Sequence, residues 1–309
     1  RALERSARTQ AAGSGHTRGV YARAGAEWNQ LAEGAAGEAA SGSPRVPCRR
    51  GAGPKGIGVG ASQDRREART LAVSRLLLIS SSKVHGSGWL DTCAGEIDEF
   101  LGKGVRRVLF VPFAVAGRAE LARRMRERFL PLGLEVDSLN EFADDRAKYG
   151  AVEDAAAIIV SGGNTFRLLK ALHDCGLIEL IARRVASGMP YVGWSAGSII
   201  ACPTIRTSND MAIVEPPTLQ ALGLVPFQIN AHYIDADPTS KHMGETREQR
   251  LAEFHEENDL PIVALREGAI LRREGSTLEL RGVAGARLFR RGEPARELVV
   301  GARRDELLS

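Results

Sequence analysis

The sequence predicts an α/β fold, a doubly wound, mostly parallel sheet sandwiched by helices. Three observations predict it. From about residue 74 short apolar runs recur along the chain, helix-like stretches alternate with them, and two of the runs end on glycine-rich turns. Alternation of this kind builds parallel sheets, and such sheets gather their ligand-binding loops at the carboxyl ends of the strands.

The first run, "RLLLISSS" over 75–82, is nearly continuous in apolar side chains, as a strand buried on both faces requires. "RRVLFVPF" (106–113), "GLEVDSL" (133–139), "AAAIIVSGG" (155–163) and "MPYVGWS" (189–195) read the same way. Helical patterns cover 91–102, 117–130, 165–174 and 177–187, and "LVPFQINAH" reads as a further strand ending at His232. The runs "PIVALRE" (261–267), "AILRRE" (269–274), "TLELRG" (277–282) and "ARLFRRG" (286–292) predict a mixed or antiparallel edge closing the sheet. The segment 238–257 reads as a loop leading into a charged helix.

Residues 1–73 have another texture. They are rich in Ala, Gly and Arg without a sustained apolar period, and cannot bury enough surface to offset the entropy of ordering. The expectation is a disordered extension over 1–73 followed by one α/β domain over 74–309. A chain that starts at Arg1 and has no Met before Met125 reads as a fragment or an over-extended gene model, and six acidic residues in the first 70 count against a transit peptide. The net charge of +4 belongs to this segment: residues 1–70 hold 12 basic against 6 acidic residues, leaving 30 basic and 32 acidic in the rest. The folded part therefore lacks the basic face of a nucleic-acid binder. No run of 18 apolar residues is available to span a membrane, and no secretory signal is visible. Cys48, Cys93, Cys175 and Cys202 are far apart, without C-x-x-C pairs or histidines at metal spacing, so reduced thiols, no metal site and a cytoplasmic location are expected.

The chemistry lies in "YVGWSAGSIIACPTIRT". Gly193, Ser195 and Gly197 interrupt a strand-to-helix passage with G-x-S-x-G, the pattern of a turn that projects a serine hydroxyl outward and lets the backbone pass closely. A serine at that place can also simply cap the helix beyond it. As a nucleophile it needs a base. Of six histidines, His16 lies in the tail, His85 near the first strand, His173 and His255 in helices, the latter read as exposed, which leaves His232 and His242. His232, at a strand end, is the better placed. A carboxylate must then hold the imidazole in one tautomer. Asp210 and Glu267 are the leading candidates, with Glu245 behind them; Glu267 closes a strand, where a side chain is rigidly held. Ala196 and the "SGGN" loop, through Gly163, supply the two N–H donors of an oxyanion hole.

These motifs also carry a resemblance. "GGNTFRLLKAL", "GWSAG", "ACPTIRTSNDMAIV", "VPFQINAHY" and "KHMGETREQR", in this order, resemble the peptidase E family of α-aspartyl dipeptidases over about residues 75–300. The resemblance implies a class I glutamine amidotransferase-like sandwich, with serine in place of the amidotransferase cysteine, and cleavage after an N-terminal aspartate. It implies Ser195 as nucleophile, His232 as base, Gly163 and Ala196 as oxyanion donors, and Arg247 and Asn164 as substrate-binding residues. The triad acid matches Glu267, while Asp210 matches an aspartate also treated as active-site. Two positions depart from the family: Ser161 stands for the first glycine of "GGGN", and Ala231 for the proline before the histidine. Arg247 suits an aspartyl side chain because its planar fork binds a carboxylate through two parallel hydrogen bonds. On composition alone, pairing with Glu245 or Glu248 would be its usual fate. Asp210 is also suited to the free ammonium of a substrate.

The expected partners are small peptides with N-terminal Asp, with no cofactor, no nucleic acid and no membrane; a homodimer is left open. Two rival readings stand beside this one: a cyanophycinase-like hydrolase of β-aspartyl peptides, and a catalytically silent binding protein of the same fold.

Overall fold

Near-continuous burial along the central strands organises the described residues into two sheets. The computed structural model describes residues 74–241 and 243–309; the expected disorder of 1–73, with His16 and Cys48, and the position of His242 lie outside the described residues. The strands are β1 (Arg75–Ile79), β2 (Arg107–Val111), β3 (Glu135–Ser138), β4 (Ile158–Val160), β5 (Tyr191–Trp194), β6 (Gln228–Tyr233), β7 (Ile262–Arg266), β8 (Ala269–Glu274), β9 (Thr277–Gly282), β10 (Ala286–Phe289) and β11 (Arg296–Leu298). The helices are α1 (Ala94–Leu101), α2 (Arg118–Phe129), α3 (Asp145–Asp154), α4 (Thr165–Asp174), α5 (Ile178–Ala186), α6 (Ala196–Ile199) and α7 (Arg247–Glu257).

The larger sheet has the order β3-β2-β4-β5-β1-β8-β9. Its first five strands are parallel, and β8 and β9 extend it antiparallel from β1. Successive residues of β1 divide between two cores: Leu76 and Leu78 face one, Leu77 and Ile79 the other. The strand period of two gives this division, and it explains why both parities must be apolar. On one face α1 and α2 bury Ile97, Phe100, Met125 and Phe129; on the other lie α3, α4, α5 and α6.

The second sheet, β11-β10-β7-β6, packs into the same core as α4 to α6 through Ile229, Val263, Leu265 and Leu288. Its opposite face is covered by α7 through Leu251. The sequence pattern predicts that the four C-terminal runs close one sheet. Only β8 and β9 do so; β7 and β10 join β6 in the second sheet. The apolar pattern "IVAL" is that of any central strand and carries no sign of which sheet receives it.

Two further differences have local causes. Helix α3 escapes an apolar-period reading because Val152 is its single buried residue, and its start is marked instead by Asp144, whose side chain accepts from Ala147 N–H (2.8 Å). His255, expected to be exposed, is buried on α7, with Nε2 3.1 Å from the Leu260 carbonyl. Among the described residues no helix is long and apolar enough to cross a membrane.

Candidate active site

The larger sheet presents the carboxyl ends of β4 and β5 side by side, and close backbone packing shapes the turns beyond them. Ser195, just past β5, has φ 52° and ψ −114°, a conformation that costs a non-glycine residue on the order of 1–3 kcal/mol. It is held there by contacts that tolerate no side chains nearby. A Cβ on Gly193 would stand 2.4 Å from the Gly197 carbonyl oxygen, and one on Gly197 would stand 2.2 Å from the Val160 oxygen. Ser195 N–H donates to Ile79 O (3.0 Å), and Tyr191 Oη donates to Gly197 O (2.6 Å). Ser198 Oγ reaches the carbonyls of both Ile79 (2.7 Å) and Gly193 (2.8 Å). The Ser195 side chain makes no capping bond to its helix. Its hydroxyl points elsewhere.

That hydroxyl lies 2.9 Å from His232 Nε2, and His232 Nδ1 lies 2.9 Å from Glu267 Oε1. A carboxylate oxygen accepts, so the Nδ1 proton faces Glu267 and Nε2 is left to accept from the serine. His232 also has positive φ, 55°, where the pairing of β6 with β7 slips between Asn230 and Tyr233. A bulge of this kind re-aims one side chain, here toward the other sheet. The His232 N–H donates to Ser80 Oγ (3.0 Å), which in turn donates to Leu265 O (2.8 Å). Glu267 comes directly after β7, which runs parallel to β6. Parallel neighbours bring residues far apart in sequence to one end.

After β4, Gly163 has φ 138°, and a Cβ there would stand 2.6 Å from the Ala114 carbonyl oxygen. No backbone acceptor takes the Gly163 N–H among the described residues. Ala196 opens α6, where a helix N–H has no intrahelical acceptor. The helix is a single turn, so its dipole contributes less than a long helix would. Asp210 does not reach His232; its Oδ2 accepts from Thr165 N–H (2.7 Å) and from Thr165 Oγ1 (2.6 Å). It thereby ties down the first residue of α4, next to the glycine loop. Asn164 caps the same helix through Arg167 N–H (3.0 Å), and its amide donates to Met211 O (2.8 Å).

A cavity of about 410 Å³ is lined by Gly162, Gly163, Ser195, Asp210 and His232, with Trp89 and Trp194 among its walls. Trp194 is fixed by Phe110, stacked at 6.1 Å, and by the edge of Trp89 at 6.2 Å. Arg247 lines a second cavity of about 370 Å³ and donates to Asn209 Oδ1 (2.8 Å). Its expected alternative partners are otherwise engaged: Glu245 pairs with Arg250 (3.4 Å) and Glu248 with Arg287 (2.9 Å). Burial, aided by the Arg250 charge, moves the Arg247 pKa down from the ordinary arginine value. A half-buried guanidinium without a carboxylate partner among the described residues is suited to receive one from a ligand.

Four supporting residues carry no signal in the sequence: Ser80, Tyr191, Ser198 and Asn209. Each is an ordinary strand, helix or loop residue by pattern, and its role exists only between chain segments. For Asn209 the adjoining Asp210 draws attention to the block "TSNDM", but nothing in it separates one polar side chain from the next.

Relatives of this chain match it over most of the described residues. The model of peptidase family S51 matches residues 76–281. Peptidase E of Streptomyces coelicolor (strain ATCC BAA-471 / A3(2) / M145) is 49% identical over 233 residues, covering 75% of this chain and 94% of that protein. A protein of Drosophila melanogaster named "Probable alpha-aspartyl dipeptidase" is 41% identical over 225 residues, covering 72% and 92%. In fold, the chain is similar to the crystal structure of a peptidase from an acI-B1 Actinobacterium, with TM-score 0.56 and 19% identity over 75% of this chain and 96% of that one. A glycine-framed serine that meets a histidine across two sheets, on a chain matched by the family model from β1 into β9, leads to one assignment: the chain belongs to peptidase family S51.

Proposed function

We propose that this chain is a serine dipeptidase that hydrolyses Asp-X dipeptides through an acyl-enzyme on Ser195. The observation that carries this reading is the relay of two 2.9 Å contacts from Ser195 through His232 to Glu267. Ser195 attacks the carbonyl of an N-terminal aspartate while His232 Nε2 takes its proton, and Glu267 stabilises the imidazolium. The N–H groups of Gly163 and Ala196 receive the oxyanion. His232 then protonates the leaving amine, and water repeats the sequence on the ester to release aspartate.

The substrate class rests on two charged residues, Asp210 in the Ser195 cavity and Arg247 in the second cavity, and on the names of the relatives. Arg247 reads the aspartyl carboxylate. Asp210 lines the Ser195 cavity with one oxygen committed to Thr165, and its other oxygen anchors the substrate ammonium. Asn164 supports the cavity wall by holding Met211 and capping α4.

Hydrolysis of Asp-Leu beside Glu-Leu, Asn-Leu and acetyl-Asp-Leu, with Ser195→Ala as control, tests both halves. The expected result is cleavage of Asp-Leu far faster than of the other three, reduced by about four orders of magnitude or more in the serine variant. Cleavage of a β-aspartyl-arginine polymer with none of Asp-Leu would move the reading to a cyanophycinase-like hydrolase. A folded protein that neither cleaves nor reacts with a serine-directed covalent reagent would be a silent binding protein.

A further inference from the structure

The Ala231–His232 peptide is held from both sides by side chains. It lies where β6 slips out of register with β7, so the strand ladder cannot brace it. Ser80 Oγ accepts its N–H at 3.0 Å, and Asn209 Nδ2 donates to its carbonyl at 2.9 Å. This clamp fixes the plane of the peptide next to a residue at φ 55°, and with it the direction in which the imidazole leaves the backbone. The other end of the same Asn209 amide meets Arg247 Nη1 at 2.8 Å and Asn230 Nδ2 at 3.0 Å. Asn230 is itself anchored by donating to Thr207 O (2.9 Å). One planar amide thus stands between the guanidinium and the backbone of the histidine.

We propose that Asn209 is a positioning residue that sets His232 through the Ala231 carbonyl and orients Arg247 through its Oδ1, joining recognition of the substrate carboxylate to alignment of the base. The Arg247 half rests on the reading of that residue given above; the His232 half does not. The amide suits the task because it donates at one end and accepts at the other. Leucine would do neither, and aspartate could only accept. An arginine whose Nη1 is committed to Asn209 keeps its remaining N–H groups for a carboxylate, and its fork is held in one plane before substrate arrives.

The test uses the full chain with Asn209→Ala and the near-isosteric Asn209→Asp, each checked by thermal melting. Two quantities are read: the rate at which a fluorophosphonate labels Ser195, which needs no aspartyl carboxylate, and the ratio of kcat/KM for Asp-Leu over Asn-Leu. Labelling is expected to slow about tenfold in both variants, the equivalent of roughly 1.4 kcal/mol in the barrier. In Asn209→Asp the ratio is also expected to fall about tenfold, because the new carboxylate neutralises Arg247 from within. Labelling within twofold of wild type in folded variants would overturn the role at His232, and slowed labelling with an unchanged ratio would overturn the link to Arg247. Loss of the fold in both variants would also overturn the proposal, since Asn209 would then be holding the structure rather than the histidine. If the wild-type protein is labelled but cleaves no Asp-Leu, the substrate reading fails, and the labelling comparison still decides for Asn209 and His232.

Discussion

Ser195 and His232 both stand on left-handed backbone, at φ 52° and 55°, yet they are kept there by opposite means. Around Ser195 the decisive restraint is main chain against main chain: β5, α6 and β4 approach so closely that Gly193 and Gly197 leave no room for a methyl group, and the Tyr191 and Ser198 hydroxyls reinforce it. Around His232 the restraint is side chain to main chain, with Ser80 and Asn209 replacing ladder bonds that the bulge removes. The first arrangement cannot be altered without moving two central strands, whereas the second can be altered one hydrogen bond at a time. Substitutions of the glycines in the elbow, the Gly193–Gly197 turn that carries Ser195, should therefore act on stability, and substitutions around the bulge on rate.

The largest expected effect tests the elbow. Gly197→Ala places a methyl group 2.2 Å from the Val160 carbonyl oxygen, and neither backbone can give way without disturbing the parallel core. A loss of about 3 kcal/mol or more is expected, the upper end of what an inserted core methylene costs. Chemical denaturation measures it. A stable Gly197→Ala protein with normal turnover would erase the contrast between the two regions.

Next comes the acid on the bulge side. Glu267→Gln should lower kcat by about 10²- to 10³-fold. The loss should fall short of that for a buried triad aspartate, because the His232 and Glu267 side chains are 41% and 49% exposed and water can replace part of the interaction. Asp210→Asn retains an oxygen for Thr165, and its effect should be about tenfold and largely in KM, through loss of the charge that meets the ammonium. Near-normal turnover in Glu267→Gln with collapse in Asp210→Asn would reverse the two roles.

The same contrast accounts for how much of the site could be read in the sequence. The elbow was legible because its restraint is written in residue type: glycines at fixed spacing around a serine mark a backbone passage too close for any side chain. His232 is legible by elimination among six histidines and by its place at a strand end. The choice between Asp210 and Glu267 depends on β6 and β7 being parallel neighbours, a fact of topology that leaves no periodic trace. Asn209 and Ser80 were invisible for a related reason, since each acts through a carbonyl or N–H that any residue would present. The fold class was legible from strand and helix alternation. The split of the C-terminal strands into two sheets was not, because burial on both faces looks alike in either sheet.

The smallest expected effect on turnover lies where the two regions meet. Cys202, just past α6, accepts the Ile229 N–H on Sγ at 3.1 Å, so the helix behind Ser195 is tied to the strand that carries His232. Burial pushes the thiol pKa well above its ordinary value, which keeps it neutral and unreactive in the folded protein. Cys202→Ala leaves a buried N–H without its acceptor and should cost about 1–3 kcal/mol. Cys202→Ser restores an acceptor on a shorter bond and should recover part of that loss. Because the tie joins the two segments without touching the Ala231–His232 peptide, kcat in both variants should stay within about threefold of wild type, under 1 kcal/mol in the barrier. A Cys202→Ala protein of undiminished stability but much slower turnover would show that the elbow and the bulge are aligned through this sulfur, and the division between a region that sets stability and one that sets rate would fail at their junction.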